Sequence, residues 1–569
     1  MRRLYMKRAA VFLLGIIMLV SMFPYTNAAA ASTLTVDLGT TLRPVGHCAS
    51  GSLYGITETI PANIAALVAP LKPGVFTNPA RAGSGYQQPI GAAIPVAGRL
   101  NGTTGKVMIR LADIFPGWPY NFSGMTNWLN SVRSVIADKK ASGYSNFYGY
   151  EIWNEPDGTW KTSNGTFENM WSQTYAAIRA ADPTAKIIGP SYSYYNHSRM
   201  SGFLTYCKAN NCLPDIICWH ELSSNTSTAS NLKDYRALET SLGIAAIPIS
   251  INEYCDTDHA KEGAPGPSAR FIAKFERYKV DSACITWWWT GAPGRLGSLL
   301  ASNTQKGAGW WFYKWYGDMS GNMVSVTPPN DNSDQVDGFA CVDDNSKYVS
   351  LLFGGINDGT VNVAFRNIPS FIGANATVKV EKVSWTSKDT VSTGPVTVMA
   401  GNYPVTNGQI TVPVTGCNGT DGYRIYITPG ISNTQVRYEA EKAAITEANI
   451  NSGSNASDGR YVAQIDYNDV NMPRYSFVDF TVNVPTAKTY TMTIRYANGT
   501  GSNATQGLAY NNGAWSTVNY PATAGWAQFG SVNVSVNLKA GINIIRLAKG
   551  SPGFSGGTGY AELDYIEIN

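Results

Sequence analysis

Tyr148-Gly-Tyr-Glu-Ile-Trp-Asn-Glu-Pro-Asp157 is a short aromatic and β-branched run that stops at an Asn-Glu pair, and Ile249-Ser-Ile-Asn-Glu-Tyr254 repeats the arrangement further along the chain. Each run reads as a buried strand whose Asn-Glu pair stands where strand gives way to loop. A glutamate at the end of an apolar strand is costly to bury unless it has partners or a task. Two such glutamates, on two strands of a repeating chain, predict a carboxylate pair facing one cleft. That pair is the minimum equipment for breaking a glycosidic bond with retention.

Segments of similar character recur outward from these two at intervals of about thirty to forty residues: Leu42–His47, Gly74–Asn78, Lys106–Leu111, Asn146–Trp153, Lys186–Pro190, Asp215–His220, Ile247–Asn252 and Ser282–Trp288. Between them Met125–Lys140, Phe167–Ala181 and Pro267–Tyr278 carry helical spacing of apolar residues. Eight strand–helix alternations predict an α/β fold, a (β/α)8 TIM barrel over residues 31–310, with Glu155 and Glu253 at the C-terminal ends of strands four and seven.

Past residue 305 the helical spacing gives way to short alternating segments, Tyr348–Phe353, Val361–Phe365, Thr377–Ser384 and Tyr423–Ile427. These predict an antiparallel β-sandwich over 311–428, followed by a linker at 429–434. A second all-β unit, a C-terminal β-sandwich of the jelly-roll kind, covers 435–569. It opens at Val436-Arg-Tyr-Glu-Ala-Glu-Lys442 and closes at Tyr560-Ala-Glu-Leu-Asp-Tyr-Ile-Glu-Ile568. A chain ending near Thr428 is expected to keep barrel and sandwich active on small substrates, and the unit from Gln435 to fold alone.

Arg2, Arg3, Lys7 and Arg8 precede the apolar run Ala9–Val20, and Ala28-Ala29-Ala30 offers small residues for cleavage. Residues 1–30 thus read as a secretory signal peptide, too short to be a membrane span, and the protein as secreted and extracellular. The whole chain carries a formal charge of +4, and those four cations account for it. The neutral remainder excludes a global field that would gather nucleic acid. Only 14% of residues are charged, while Gly, Tyr and Trp are plentiful, a composition shared by sugar-stacking proteins and by plain β-rich ones. Among the eight cysteines, Cys207 and Cys212 flank a short polar loop and are the best local disulfide pair, and Cys341 and Cys417 could form a second. Cys48, Cys218, Cys255 and Cys284 are expected as buried thiols. No CxxC spacing appears and the four histidines are scattered, so zinc is not expected.

Asn154-Glu155-Pro156 with Asn252-Glu253 resembles the retaining glycoside hydrolases of clan A. A barrel followed directly by a β-sandwich is most similar to family 39 of that clan, whose activities include β-xylosidase, α-L-iduronidase and bacterial exopolysaccharide hydrolases. Tyr438-Glu-Ala-Glu441 and Leu563-Asp-Tyr-Ile-Glu567 resemble carbohydrate-binding modules of families 35 and 6. The resemblance implies Glu155 as general acid/base, Glu253 as nucleophile and Asn154 as the contact to the sugar 2-hydroxyl. It places His220 against the nucleophile and Glu439, Glu441 and Asp564 around a structural calcium. Catalysis itself would need no cofactor. In Trp287-Trp288-Trp289 alternation turns Trp288 opposite to its neighbours, and one of the three is expected to floor a sugar subsite.

Arg81, Tyr86, Gln87, Asp113, Trp118 and Tyr120 follow strands two and three and could line subsites or simply shape loops. Asp256 and Asp258 could tune the nucleophile or solvate a turn. Trp515, Trp526 and Tyr461 are candidates for sugar stacking in the C-terminal module, which also needs aromatic core. Both glutamates could instead cap strands or pair with a buried arginine such as Arg110. The expected protein is a monomeric, secreted, retaining glycoside hydrolase of plant cell-wall or exopolysaccharide glycans, with a polysaccharide or oligosaccharide substrate and neither nucleic acid nor membrane as partner. A non-catalytic carbohydrate-binding or scaffold protein that keeps a barrel is the alternative.

Overall fold

The computed structural model describes residues 32–286, 293–355, 359–430, 437–465, 475–484, 487–539 and 541–568. The expected signal segment, the Trp287–Trp289 triplet with Trp288, and most of the expected linker lie outside these residues. The chain enters on a long strand, β1 (Ser32–Pro44), whose burial alternates along Leu34, Val36 and Leu38. Eight parallel strands then close a barrel: β2 (Gly51–Leu53), β3 (Val75–Pro79), β4 (Lys106–Arg110), β5 (Phe147–Glu151), β6 (Ile187–Tyr192), β7 (Ile216–Trp219), β8 (Ile249–Tyr254) and β9 (Ser282–Ile285). These strands are buried on both faces, as parallel barrel strands must be.

The expectation for the first barrel strand is corrected here. Leu42–His47 is the end of β1 and the turn beyond it, and β1 pairs antiparallel with Asn322–Thr327 and parallel with Gly359–Arg366. The chain's first strand therefore belongs to the sandwich. The true first barrel strand is the inconspicuous Gly51-Ser-Leu53. Gly51 is required there, because a Cβ would stand 1.9 Å from the Val75 carbonyl oxygen.

Helices pack round the barrel by their apolar stripes. Phe167–Ala181 starts at Thr166, whose hydroxyl accepts from the Asn169 amide at 3.3 Å, and buries Phe167, Met170, Trp171, Thr174, Ala177 and Ile178. Pro265–Arg277 departs from this pattern by being buried nearly all round. It lies between barrel and sandwich, and its charges are paired across that junction: Lys274 with Asp337 at 3.2 Å, Arg277 with Asp337 at 2.5 Å and Glu276 with Arg43 at 2.6 Å.

The sandwich is one nine-stranded sheet wrapped over its own core of Leu34, Val36, Val326, Val363, Val378 and Ile425. The C-terminal unit stacks a sheet containing Arg460–Ala463, Lys488–Ala497 and Glu562–Ile568 on another containing Ser476–Val484 and Gly541–Gly550. Its ends meet as expected, with Arg437, Tyr438 and Glu439 opposite Glu567, Ile566 and Tyr565. This unit is packed on the sandwich through buried charge: Lys379 lies 3.1 Å from Asp479, which also takes Arg546 at 2.6 Å, while Glu381 takes Lys379 at 2.8 Å.

All eight cysteines are buried and unbridged. Cys207 and Cys212 are neighbours, hydrogen-bonded through their sulfurs. Cys341 and Cys417 are not brought together, because Cys341 faces the core shared with the barrel and Cys417 the sandwich core.

Candidate active site

Glu155 lies just beyond β5, where the chain turns sharply into the short helix Pro156–Thr159. Its backbone is left-handed, φ 49°, a conformation that costs a non-glycine residue energy and marks a position held for a purpose. The turn is locked from several sides. The Glu155 amide donates to the Ser191 carbonyl at 2.8 Å, the Thr159 hydroxyl donates to the Asn154 carbonyl at 2.7 Å, and the Trp153 indole donates to Thr159 at 2.9 Å.

Glu253 comes from β8 and is fully buried. Arg110, the last residue of β4, places Nη1 2.7 Å from Glu253 Oε1. His220, one residue past β7, sets Nδ1 3.0 Å from Glu155 Oε1 and 3.6 Å from Glu253 Oε2. One carboxylate oxygen from each glutamate and one His220 nitrogen all lie within 4.8 Å of one another. Burial pushes the Glu253 carboxyl above its ordinary value, against the pull of His220 and Arg110. Burial alone would lower His220, but Glu253 and Glu155 outweigh it and hold the imidazole above its usual value. The same ring nitrogen, Nδ1, thus faces both glutamates, hydrogen-bonded to Glu155 and within ion-pair distance of Glu253.

Behind this pair stands a buried polar network that the motifs did not disclose. Arg110 Nε is 2.7 Å from Glu151, and the Asn252 amide donates to Glu151 at 2.7 Å. Arg110 also donates to the Tyr54 hydroxyl at 3.1 Å, which donates to Asp113 at 2.5 Å. Tyr120 donates to the other Asp113 oxygen at 2.8 Å. Burial raises Asp113 to about 6. Asp113 and Tyr120 are thus supports of the site rather than its lining. The signal for this network was a charge in an otherwise apolar strand, Arg110 in β4 and Glu151 in β5, since such charges must find one another. Beside His220, the buried Glu221 accepts from Trp219 at 2.8 Å and Asn231 at 3.0 Å and anchors the end of β7.

Asn154 is buried next to Glu155 in the chain, and its amide oxygen has no donor among the described residues. Trp118 is exposed and stands edge-on to Tyr120, with ring centroids 5.3 Å apart. Arg81 pairs instead with Asp138 on the helix Met125–Ser142. Asp256 pairs with Arg270 at 2.5 Å, and Asp258 caps the turn His259–Lys261, so both serve local structure. Cys255, His259 and Glu262 form a second compact group of ligand-bearing atoms, within which burial raises the Cys255 thiol to about 12 and keeps it protonated.

In the C-terminal unit the Ser457 hydroxyl bridges Glu439 and Asp564, and Asp564 also takes Arg495. Both carboxylate oxygens of Glu441 are buried with no hydrogen-bond partner among the described residues, and burial raises this group to about 7. Of the three stacking candidates, only Trp526 is exposed, beside a cavity of about 290 Å³ that Asn451, Gln464, Tyr560 and Glu562 also line. Tyr461 is buried against Phe529, and Trp515 is stacked on Phe554 at 4.9 Å.

A closed parallel barrel presenting two glutamates from its fourth and seventh strands to one histidine defines a site of the glycosidase type. Residues 127–269 match the model of the family described as Glycosyl hydrolases family 39. It is 28% identical over 74% of its length to a 3-O-alpha-D-galactosyl-alpha-L-arabinofuranosidase of Bifidobacterium longum subsp. longum, covering 43% of that protein. It is 27% identical over 70% of its length to a 3-O-beta-L-arabinopyranosyl-alpha-L-arabinofuranosidase of Bifidobacterium pseudocatenulatum, covering 48% of that protein. The chain thus spans less than half the length of these curated relatives. Among solved structures, N2152 from Neocallimastix frontalis is 59% identical, covers 70% of this chain and 100% of its own, and superposes with a TM-score of 0.70.

Proposed function

We propose that this protein is a secreted, retaining glycoside hydrolase acting on glycans of plant cell walls or exopolysaccharides. The reading rests on one observation above all: carboxylate oxygens of Glu155 and Glu253 within 4.8 Å, beside a shared histidine. Retaining enzymes hold their two carboxyl groups about 5–5.5 Å apart, whereas inverting enzymes leave about 6.5–9.5 Å for a water. Glu253, immobilised by Arg110, attacks the anomeric carbon while Glu155 protonates the departing oxygen. Glu155, the less buried of the two, then takes a proton from the water that cleaves the glycosyl–Glu253 ester. Asn154 offers its unpaired oxygen to the sugar 2-hydroxyl. The names of the two bifidobacterial relatives make α-L-arabinofuranosides the first substrates to try.

Calcium is proposed for the C-terminal unit, held by Glu439, Glu441 and Asp564. The two unpartnered, buried oxygens of Glu441 fit a hard cation that prefers carboxylate ligands. The ion would tie the opening of the unit to its closing strand, and the exposed Trp526 beside its cavity would take a sugar ring. The test of the function is a panel of aryl glycosides and plant polysaccharides, with the first-formed product followed by proton NMR. Turnover with the anomeric configuration kept is the expected result. Turnover with inversion removes the double-displacement mechanism, and no turnover on any glycoside removes the activity.

A further inference from the structure

Residues 293–307, which follow the last barrel strand, touch all three parts of the chain. Toward the site, the Gly294 and Leu296 amides donate to the Tyr54 and Gly55 carbonyls, both at 3.0 Å. Tyr54 is the residue whose hydroxyl accepts from Arg110 behind Glu253. Toward the sandwich, Arg295 lies 2.7 Å from Asp389, and the Ser392 amide donates to the Lys306 carbonyl at 3.0 Å. Toward the C-terminal unit, Lys306 Nζ stands 3.3 Å from Glu447 Oε1.

This last contact has the marks of a built one. The side chains of Glu447 and Lys306 are only 5% and 15% exposed. Glu447 adopts a left-handed backbone, φ 50°, a strain that persists only where the surroundings over-determine it. Its carbonyl accepts from the Ser476 hydroxyl at 2.7 Å, which ties it to the strand Ser476–Val484. The same strand carries Asp479, the buried partner of Lys379 in the sandwich. On the other side, the Lys306 ammonium lies 3.7 Å from the centroid of the Trp310 ring. Charges are buried at an interface at a cost that only good pairing offsets, and a unit swinging on a tether has no use for such pairs.

We propose that the C-terminal unit is a built-in brace of the loop 293–307. Glu447 grips Lys306, and the loop 293–307 passes that restraint to Tyr54, and through it to Arg110 and Glu253. Lys306 and Glu447 are positioning residues; neither touches the reacting atoms. Energetic coupling, not the adjacency of these contacts, is what the test must read.

Hydrogen–deuterium exchange on the full chain reads it, with Lys306→Met, Glu447→Gln and the double variant. Amides of residues 293–307 should exchange about tenfold faster in each single variant and no faster in the double, while Tyr348–Gly354 stays protected. Unchanged loop exchange in both single variants overturns the brace, and so do effects that simply add in the double. A second readout, turnover of an aryl α-L-arabinofuranoside, rests on the proposed function: kcat should fall several-fold with KM little moved. Faster exchange with unaltered kcat overturns the link to Glu253. If the unmodified protein turns over no glycoside, the function fails while the exchange result still decides the brace.

Discussion

Glu155 and Glu253 are the same residue type in two different settings, and the settings suit the roles proposed for them. Glu253, sealed against Arg110 and His220, is the proposed nucleophile. Glu155, strained and partly open, is the proposed acid/base, which must exchange protons with substrate and water. Glu253→Ala should therefore abolish turnover, and added azide should restore it with a product of inverted configuration. Glu155→Ala should lose roughly 10²–10⁴-fold on substrates with poor leaving groups and far less on activated aryl glycosides. Equal loss on every leaving group for Glu155→Ala, with ordinary activity left in Glu253→Ala, would reverse the roles. Both glutamates were legible because each closes an apolar run with an Asn-Glu pair. Asp113 and Tyr120 looked like loop residues of the catalytic face, yet they are buried, because Tyr54 and Arg110 recruit them from below. That recruitment joins strands far apart in the chain, and no local pattern encodes it.

At the level of elements, seven of the eight barrel strands were readable from their apolar runs, and the first was not. Gly51-Ser-Leu53 carries one apolar side chain, whereas β1 alternates well and sits where a first barrel strand belongs. Alternation marks a strand with one buried face, and here it marked a sandwich strand. Arg110 is the residue that ties the barrel strands together, reaching Tyr54 after β2, Glu151 in β5 and Glu253 in β8. Arg110→Met would leave two buried carboxylates without their cation. It should cost about 3–5 kcal/mol in denaturant unfolding as well as activity, and a loss under 1 kcal/mol would show that water reaches these carboxylates. The clasp of the C-terminal unit gives a pH test. Burial lifts Glu441 from its ordinary 4.5 to about 7, so the folded unit holds a proton there that the unfolded chain releases. Without calcium, this contribution to stability is complete below 4.5 and is lost as pH rises through about 7. The proposed calcium would require the deprotonated form, so the rise in melting temperature it produces should be greater at pH 8 than at pH 5. Melting curves with calcium and with chelator at the two pH values decide it; identical pairs leave Glu439 and Asp564 joined through Ser457, without metal.

For the whole molecule, the sequence suggested three units in a row, and the structure interleaves and packs them. β1 belongs to the sandwich although it precedes the barrel, and Pro265–Arg277 is buried between the two with its charges paired across the junction. The C-terminal unit continues the scheme by setting Asp479 against Lys379. Burial would raise Asp479, but Lys379 and Arg546 overcome it and hold the carboxyl at about 2. A charge so held contributes stability across the neutral range that is lost as pH falls from the ordinary carboxylate value of 3.8 toward 2. A chain ending at Thr428 would leave Lys379 and Arg424 sharing the single carboxylate of Glu381. Such a chain is therefore expected to do worse than a barrel and sandwich that merely lost a tethered neighbour. Its first unfolding transition should fall by several degrees, consistent with about 3–5 kcal/mol for a broken buried pair. Asp479→Asn in the full chain isolates the same pair without removing the unit, and should reproduce part of that drop. Calorimetry of the full, shortened and Asp479→Asn chains side by side makes the comparison. A shortened chain that melts with the full one would mean that the buried pair holds the C-terminal unit in place without stabilising what it rests on.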